Sequence, residues 1–210
     1  MTATLSGVPP GRAGRIWLRG RLATARRAAD LLDRKLRALR TEQETARRRA
    51  RDAETDWSRS YRDADRWLLR AVLLEGVRQL LDAGAQPARL DLRWVSTVGA
   101  VHPADVDCRP ALWPDEDAVP GTAAVVEAAA AYRDAVRAAA VYAAAAATRD
   151  ALDREASLTR RRLRAVSDRR IPALERALRE RTAALAESER AELVRLRWAI
   201  RPDHPDTAAG

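Results

Sequence analysis

The chain has 210 residues, with Lys and Arg numbering 39 against 30 Asp and Glu, a formal net charge of +9. At 47% hydrophobic residues it carries enough apolar surface to fold, which excludes a wholly disordered chain, and its length suits one domain or two small ones. Only 4% of residues are aromatic and Phe is absent, so the residues that fill a wide globular interior are scarce; alanine supplies much of the apolar count, as a narrow seam between helices requires.

Cys108 is the single cysteine, so no internal disulfide forms, and with His102 and His204 as the only histidines a cysteine-based zinc site is untenable. Cys108 reads as an inert loop or packing residue in a reducing, cytoplasmic compartment. No run approaches the roughly 18 to 20 uninterrupted apolar residues of a membrane span, and the N-terminus lacks the basic-then-apolar order of a signal peptide. No direct membrane insertion is expected.

Residues 1–14 hold Gly7, Gly11 and Gly14 with Pro9 and Pro10 and read as a disordered tail. Residues 21–75 then contain neither glycine nor proline, and a first long helix is expected over 15–83. Steps of four and three from Leu18 land on Leu22, Ala25, Ala29, Leu32, Leu36, Leu39, Gln43, Ala46, Ala50, Ala53, Trp57, Ser60, Ala64, Trp67, Ala71 and Leu74. Only Gln43 and Ser60 among them are polar, a strong coiled-coil pattern. At about 1.5 Å per residue such a helix is on the order of 100 Å long, the length of a rod.

Residues 84–121 form an insert rich in Pro and Gly. Leu90, Leu92 and Trp94 alternate with Asp91 and Arg93, and a β-branched run through Val98, Gly99 and Val101 ends at Pro103, the pattern of a short β-hairpin. The second helix is expected over 122–201, again without glycine. Leu152, Leu163, Leu174, Leu185 and Leu196 recur every eleven residues, which reads as a hendecad seam with a straight or slightly right-handed path. Pro172 lies inside it, so a kink is expected near Asp168 to Pro172. Residues 202–210 read as a second disordered tail. The fold class is all-α: a long antiparallel two-helix coiled coil with a small central insert containing a short β-hairpin.

The chemistry of a catalytic site is missing from this pattern. A phosphate-cradling loop needs lysine after glycine, and the only lysine, Lys35, follows Arg34 in a helix. The histidines lie in the insert and the tail, with no Gly-x-Ser-x-Gly turn. No catalytic residue, cofactor or metal is assigned. Charge placement is more informative: residues 12–51 carry fourteen basic and four acidic side chains, residues 154–201 fourteen and seven, and residues 89–121 three and six. If the helices pair antiparallel, one end is strongly basic and the other mildly acidic. Trp17 and Trp198 then fall near the same end, where they are expected to cap the seam.

Three blocks carry a resemblance. Ala23-Thr-Ala-Arg-Arg-Ala-Ala-Asp-Leu-Leu-Asp-Arg-Lys-Leu-Arg-Ala-Leu39, Val98-Gly-Ala-Val-His-Pro103, and Thr159-Arg-Arg-Arg-Leu163 with Ile171-Pro-Ala-Leu-Glu175, then Glu187, Glu189, Arg190 and Glu192, resemble the D subunit of the V/A-type rotary ATPases. Ala28 stands where that family usually has glycine, Ala100 replaces a bulkier residue, and Ala165-Val166-Ser167 replaces the usual Ala-Leu-Glu. The resemblance implies a central rotor shaft with no active site of its own, peripheral on the inner face of the membrane. Its implied partners are the catalytic and nucleotide-binding subunits of the hexamer, a small central-stalk subunit and the adaptor of the membrane ring. On that reading Arg12, Arg15, Trp17, Arg19, Arg195, Arg197 and Trp198 form the hexamer bearing, and Val98, Gly99, Val101 and Pro103 the stalk contact. The alternatives are a basic helical nucleic-acid binder, against which stands the lack of aromatics interleaved with the arginines, and a small helical enzyme acting on an anion.

Overall fold

The computed structural model describes residues 7–76, 87–111 and 122–199. Helix α1 runs over Gly11–Glu75, strand β1 over Arg89–Thr97, strand β2 over Ala100–Arg109, helix α2 over Ala123–Arg164 and helix α3 over Ile171–Ala199. A π-helical stretch, Ala165–Arg170, joins α2 to α3. The expected first helix therefore starts four residues earlier than 15, taking residues 11–14 from the expected tail; its end beyond Gly76, the tail 202–210 and residues 1–6 lie outside the described residues. The chain forms two compact units, one of residues 1–34 with 160–210 and one of residues 35–159.

In each unit the two helical arms run antiparallel. In the first, Arg12 pairs with Glu189 and Arg26 with Glu175, each at 2.8 Å. In the second, Lys35 pairs with Glu155 at 2.7 Å and Arg47 with Asp153 at 2.9 Å, Trp57 stacks on Tyr142, and Tyr61 meets Tyr132 edge-on. The first partner advances along the chain as the second retreats.

The seam of α1 follows the steps of four and three read from sequence. Leu18, Leu22, Ala25, Leu36, Leu39, Gln43, Ala46, Ala50, Ala64 and Ala71 are buried, and every buried residue of α1 lies on those steps or, for Gly14, one step ahead of them. Gln43 is a polar seam position with a partner: its Nε2 donates to Asp153 Oδ1, which also accepts from Arg47 Nη2. A buried amide with a mate fixes register where an unpaired one destabilises. Leu74, the last step, is exposed.

The second arm corrects the eleven-residue reading. Its inward positions are Ala124, Ala128, Ala131, Ala135, Ala138, Tyr142, Ala145, Arg149, Leu152, Ala156, Thr159, Leu163 and Val166, all buried or half-buried and all spaced by four and three. The next are Ile171, Leu174, Leu178, Arg181 and Leu185, spaced three, four, three and four. Between Val166 and Ile171 the step is five, and that span is where the π-helical stretch lies. A π-turn accommodates one extra residue. Once it is absorbed, the second arm has the same heptad period as α1. The leucines recur every eleven because four plus three plus four is eleven, and because three plus five plus three is eleven too.

The same stretch resolves Pro172. Proline has no N–H to give to the carbonyl of residue 168, and its ring crowds that carbonyl in a regular α-helix. Here the preceding turn widens, and the Ile171 N–H donates to Val166 O, five residues back. The expected perturbation near Asp168 to Pro172 is thus a π-turn.

Alanine makes up much of α2, and α1 supplies the bulk that faces it. Trp57 lies 5.4 Å from Tyr142, centroid to centroid, with rings 7° from parallel, and Tyr61 lies 6.5 Å from Tyr132 at 89°. Such pairs contribute about 0.5–1.5 kcal/mol beyond burial of their area. At the far end of this unit Ala71 packs with Ala124, Val125 and Ala128 against Trp67, and Glu75 accepts a hydrogen bond from the Thr122 amide, which ties the end of α1 to the start of α2.

Candidate functional site

The hairpin in the second unit is longer than the sequence pattern showed and has a two-residue turn. Thr97 pairs with Ala100, and the chain reverses through Val98 at φ 52° and Gly99 at φ 84°. Two positive φ values in succession match the right-handed twist of the flanking strands. Glycine adopts that conformation freely, whereas for a β-branched valine it is strained. A Cβ on Gly99 would also lie 3.1 Å from Lys35 Nζ. The turn is therefore seated on α1, at the Lys35–Glu155 pair, and the insert is laid back along the helices of its unit.

Four contacts stitch β2 to α2 or within the hairpin. The Thr148 hydroxyl donates to Pro103 O at 2.8 Å; His102 is buried with Nδ1 3.0 Å from that same carbonyl and Nε2 2.9 Å from Thr97 Oγ1; and Cys108 Sγ lies 4.0 Å from Val136 O. A carbonyl at Nδ1 requires the proton there, so Nε2 accepts from the Thr97 hydroxyl when the ring is neutral. The strand register shifts at Arg93/Trp94, and Val95 lines the space between the hairpin and the helices. Beneath them is a groove of about 550 Å³ lined by Ala46, Ala53, Val106, Val141, Ala144 and Leu152 among others.

The four hairpin residues assigned from sequence have different surroundings. Val101 is 63% exposed, across the hairpin from Ser96 and beside the exposed Trp94. Pro103 is buried against α2 and Val98 is half-buried. Gly99 and Pro103 hold the hairpin in place, and Val101 is the one that faces outward. Lys35, the only lysine among 39 basic residues, draws no role from its helical context; its uniqueness is the one signal available in the sequence.

The seven terminal residues also divide. Trp17 packs on the cluster of Leu18, Leu22, Ala25 and Leu174, and its ring receives the Arg21 guanidinium at 5.0 Å. Arg12 is held by Glu189, Arg19 is exposed, and Arg15 Nε is buried with no hydrogen-bond partner among the described residues. Arg195, Arg197 and Trp198 lie on the last turns of α3, where every described residue from 186 to 199 is exposed. Trp198 is 68% exposed while Trp17 covers the seam, so the two do not share the capping role expected of them. Leu193, Val194 and Leu196 are exposed on the same turns, beyond the Glu189 that pairs with the first turn of α1.

Electrostatic perturbation is small. Burial, with Tyr61 and Asp65 nearby, raises the Tyr132 phenol above its ordinary range. The Asp107 carboxylate, through a hydrogen bond and its charge, raises Arg109, and a hydrogen bond from Arg149 to Asp150 does the same for Arg149. These arginines are charged at any physiological pH in either case. No described helix is long and apolar enough to cross a membrane.

No curated protein matches the chain significantly. The model of the ATP synthase D subunit family matches residues 15–201, which spans both helical arms and the hairpin between them. The two-arm architecture and this match over most of the sequence agree, and the chain belongs to the family of ATP synthase D subunits.

Proposed function

We propose that the chain is the central-stalk rotor subunit of a V/A-type ATPase or ATP synthase, transmitting torque between the catalytic hexamer and the membrane ion-translocating ring with no catalytic site of its own. The observation that carries this reading is the seam: α1 keeps steps of four and three as far as Ala71 and the second arm as far as Leu185, and the one extra residue is absorbed by a π-turn. A shaft must resist twisting, and interlocked small apolar residues with a register pin such as Gln43–Asp153 resist slippage between helices.

The exposed last turns of α3, with Arg195, Arg197 and Trp198, and the first turns of α1, with Arg12, Arg15, Trp17 and Arg19, face the hexamer. The outward hairpin residue Val101, beside Trp94 and close to the turn at Val98 and Gly99, meets the small stalk subunit, with Pro103 bracing the hairpin from below. The adaptor of the membrane ring receives the end at Glu75 and Thr122, on the cytoplasmic face of the membrane.

Affinity capture from native membranes tests this. Recovery of a hexamer-forming ATPase pair and a small stalk subunit in salt-resistant stoichiometry is the expected result. Recovery of nucleic acid alone, released by moderate salt, overturns it.

A further inference from the structure

Strand β1 is the open edge of the hairpin. It is nine residues long, holds neither glycine nor proline, and among the described residues pairs with β2 alone. Every residue from Arg89 to Ser96 is exposed, with Leu90, Leu92 and Trp94 at 55%, 45% and 58%. Their partners across the hairpin, Cys108, Val106 and Pro103, are half-buried or buried. β2 therefore seats the hairpin on α2, through Thr148 and Val136, and β1 presents a row of backbone N–H and C=O groups that no described strand takes up. The register shift does not blunt this edge: the extra residue, Ala104, belongs to β2, and β1 stays regular.

Charge along the edge selects what can pair with it. Leu90, Leu92 and Trp94 alternate with Asp91 and Arg93, so an added antiparallel strand must set apolar against apolar and charge against opposite charge. A second copy of β1 does both in one register. Antiparallel strands related by a two-fold axis pair i with j and j with i, and the alternation of side chains makes that axis pass through a residue. Through Asp91 or Arg93 it sets like charges against each other, and through Trp94 or Val95 it matches no opposite charges. Through Leu92 it sets Leu92 against Leu92, Leu90 against Trp94, and Asp91 against Arg93 on both sides of the axis. The hairpin by itself leaves these charges poorly matched: Asp91 stands opposite Asp107, and Arg93 reaches Asp105 only at 3.9 Å.

We propose that β1 is a self-pairing edge: two copies of the chain join antiparallel through β1 about a two-fold axis at Leu92. The two hairpins become one four-stranded sheet, in which the exposed Leu90, Leu92 and Trp94 of both copies form a single apolar stripe. A lone two-stranded hairpin is marginally stable, and further strands with an apolar face stabilise it. The proposal needs only the chain's own strand and stands apart from the rotor reading. Within that reading a complex holds one shaft and Trp94 lies at the stalk contact, so the pair is the state of the chain before assembly and is given up on entry. A single strand pair buries less than a standard interface, which makes the association weak enough to be reversed.

Sedimentation of the full-length chain over a concentration series tests this. The wild type is expected to show a monomer–dimer equilibrium with a Kd on the order of 10 µM. D91R and R93D each set like charges against each other at both symmetric contacts, and each is expected to weaken the dimer on the order of 10-fold. Mixing the two variants restores the dimer, because every contact then joins opposite charges; no change within one hairpin produces that rescue. Hydrogen exchange on the wild type gives a second reading that needs no variant to fold, with protection that rises with concentration expected in β1 and not in β2. A wild type that stays monomeric up to about 1 mM overturns the proposal. So does a dimer unmoved by D91R and R93D, a mixture that fails to recover, or concentration-dependent protection that falls outside β1.

Discussion

The π-turn and Pro172 form a coupled pair, and a double-mutant cycle measures the coupling. With Ala165 deleted and Pro172 retained, the chain has two options. A regular α-helix keeps the seam aligned but places proline in a helix interior, which costs about 3 kcal/mol. A retained π-turn instead rotates α3 by about 100° and takes Leu174, only 1% exposed, out of the seam with the half-buried Ile171 and Leu178. Leu174 alone loses about 1.5–3 kcal/mol by that exposure. The deletion is therefore expected to destabilise by about 3 kcal/mol or more by either route. Pro172→Ala alone keeps the π-turn, because straightening the helix would eject Ile171 and Leu178, and changes stability by less than about 1 kcal/mol. The two changes together yield a continuous α-helix with its seam in register and stability near that of wild type. Urea unfolding followed by circular dichroism gives the four free energies, and hydrogen exchange over 171–185 reports the seam. An interaction energy under about 1 kcal/mol would refute the reasoning, since deletion and proline would then act independently.

Leu39→Ala is expected to destabilise by about 2–5 kcal/mol because Leu39 is fully buried, whereas Leu196→Ala, at a residue 58% exposed, changes stability by less than about 0.5 kcal/mol; the difference reads out in the same urea transitions. Val98→Asn relieves a β-branched residue at positive φ and is expected to stabilise the hairpin by about 1 kcal/mol, seen as slower amide exchange in β1 and β2. The raised Tyr132 phenol gives a stability term fully present below its unfolded-state pKa of about 10 and lost as pH rises through the folded value; Tyr132→Phe should flatten the alkaline limb of the stability curve, and an unchanged limb would reject that assignment.

Most of the fold is legible in the sequence, because a heptad seam is a one-dimensional signal. Each of the ten buried side chains of α1 from Leu18 to Ala71 lies on steps counted from Leu18 alone, and a hairpin is evident from alternation and the Val98-Gly99-Ala100-Val101 run. The basic surplus of residues 154–201 is legible as well.

What tertiary structure decided was everything that depends on which residue meets which. Eleven-residue recurrence of leucine is compatible with a hendecad or with a heptad that absorbs one residue, and a sequence carries no sign of where a helix widens; the half-burial of Ile171 beside an exposed Arg170 and the Ile171–Val166 hydrogen bond select the second. Gln43 interrupts the apolar seam in sequence, and only the Asp153 carboxylate on the other arm, which accepts from its amide, explains it. Lys35 is one more basic helix residue in sequence, whereas in the fold Glu155 and the hairpin turn at Gly99 lie against it, 120 and 64 positions further along the chain. Local propensity and periodicity act along the chain and are written there, whereas a pairing between distant residues is fixed only when packing brings the two arms together.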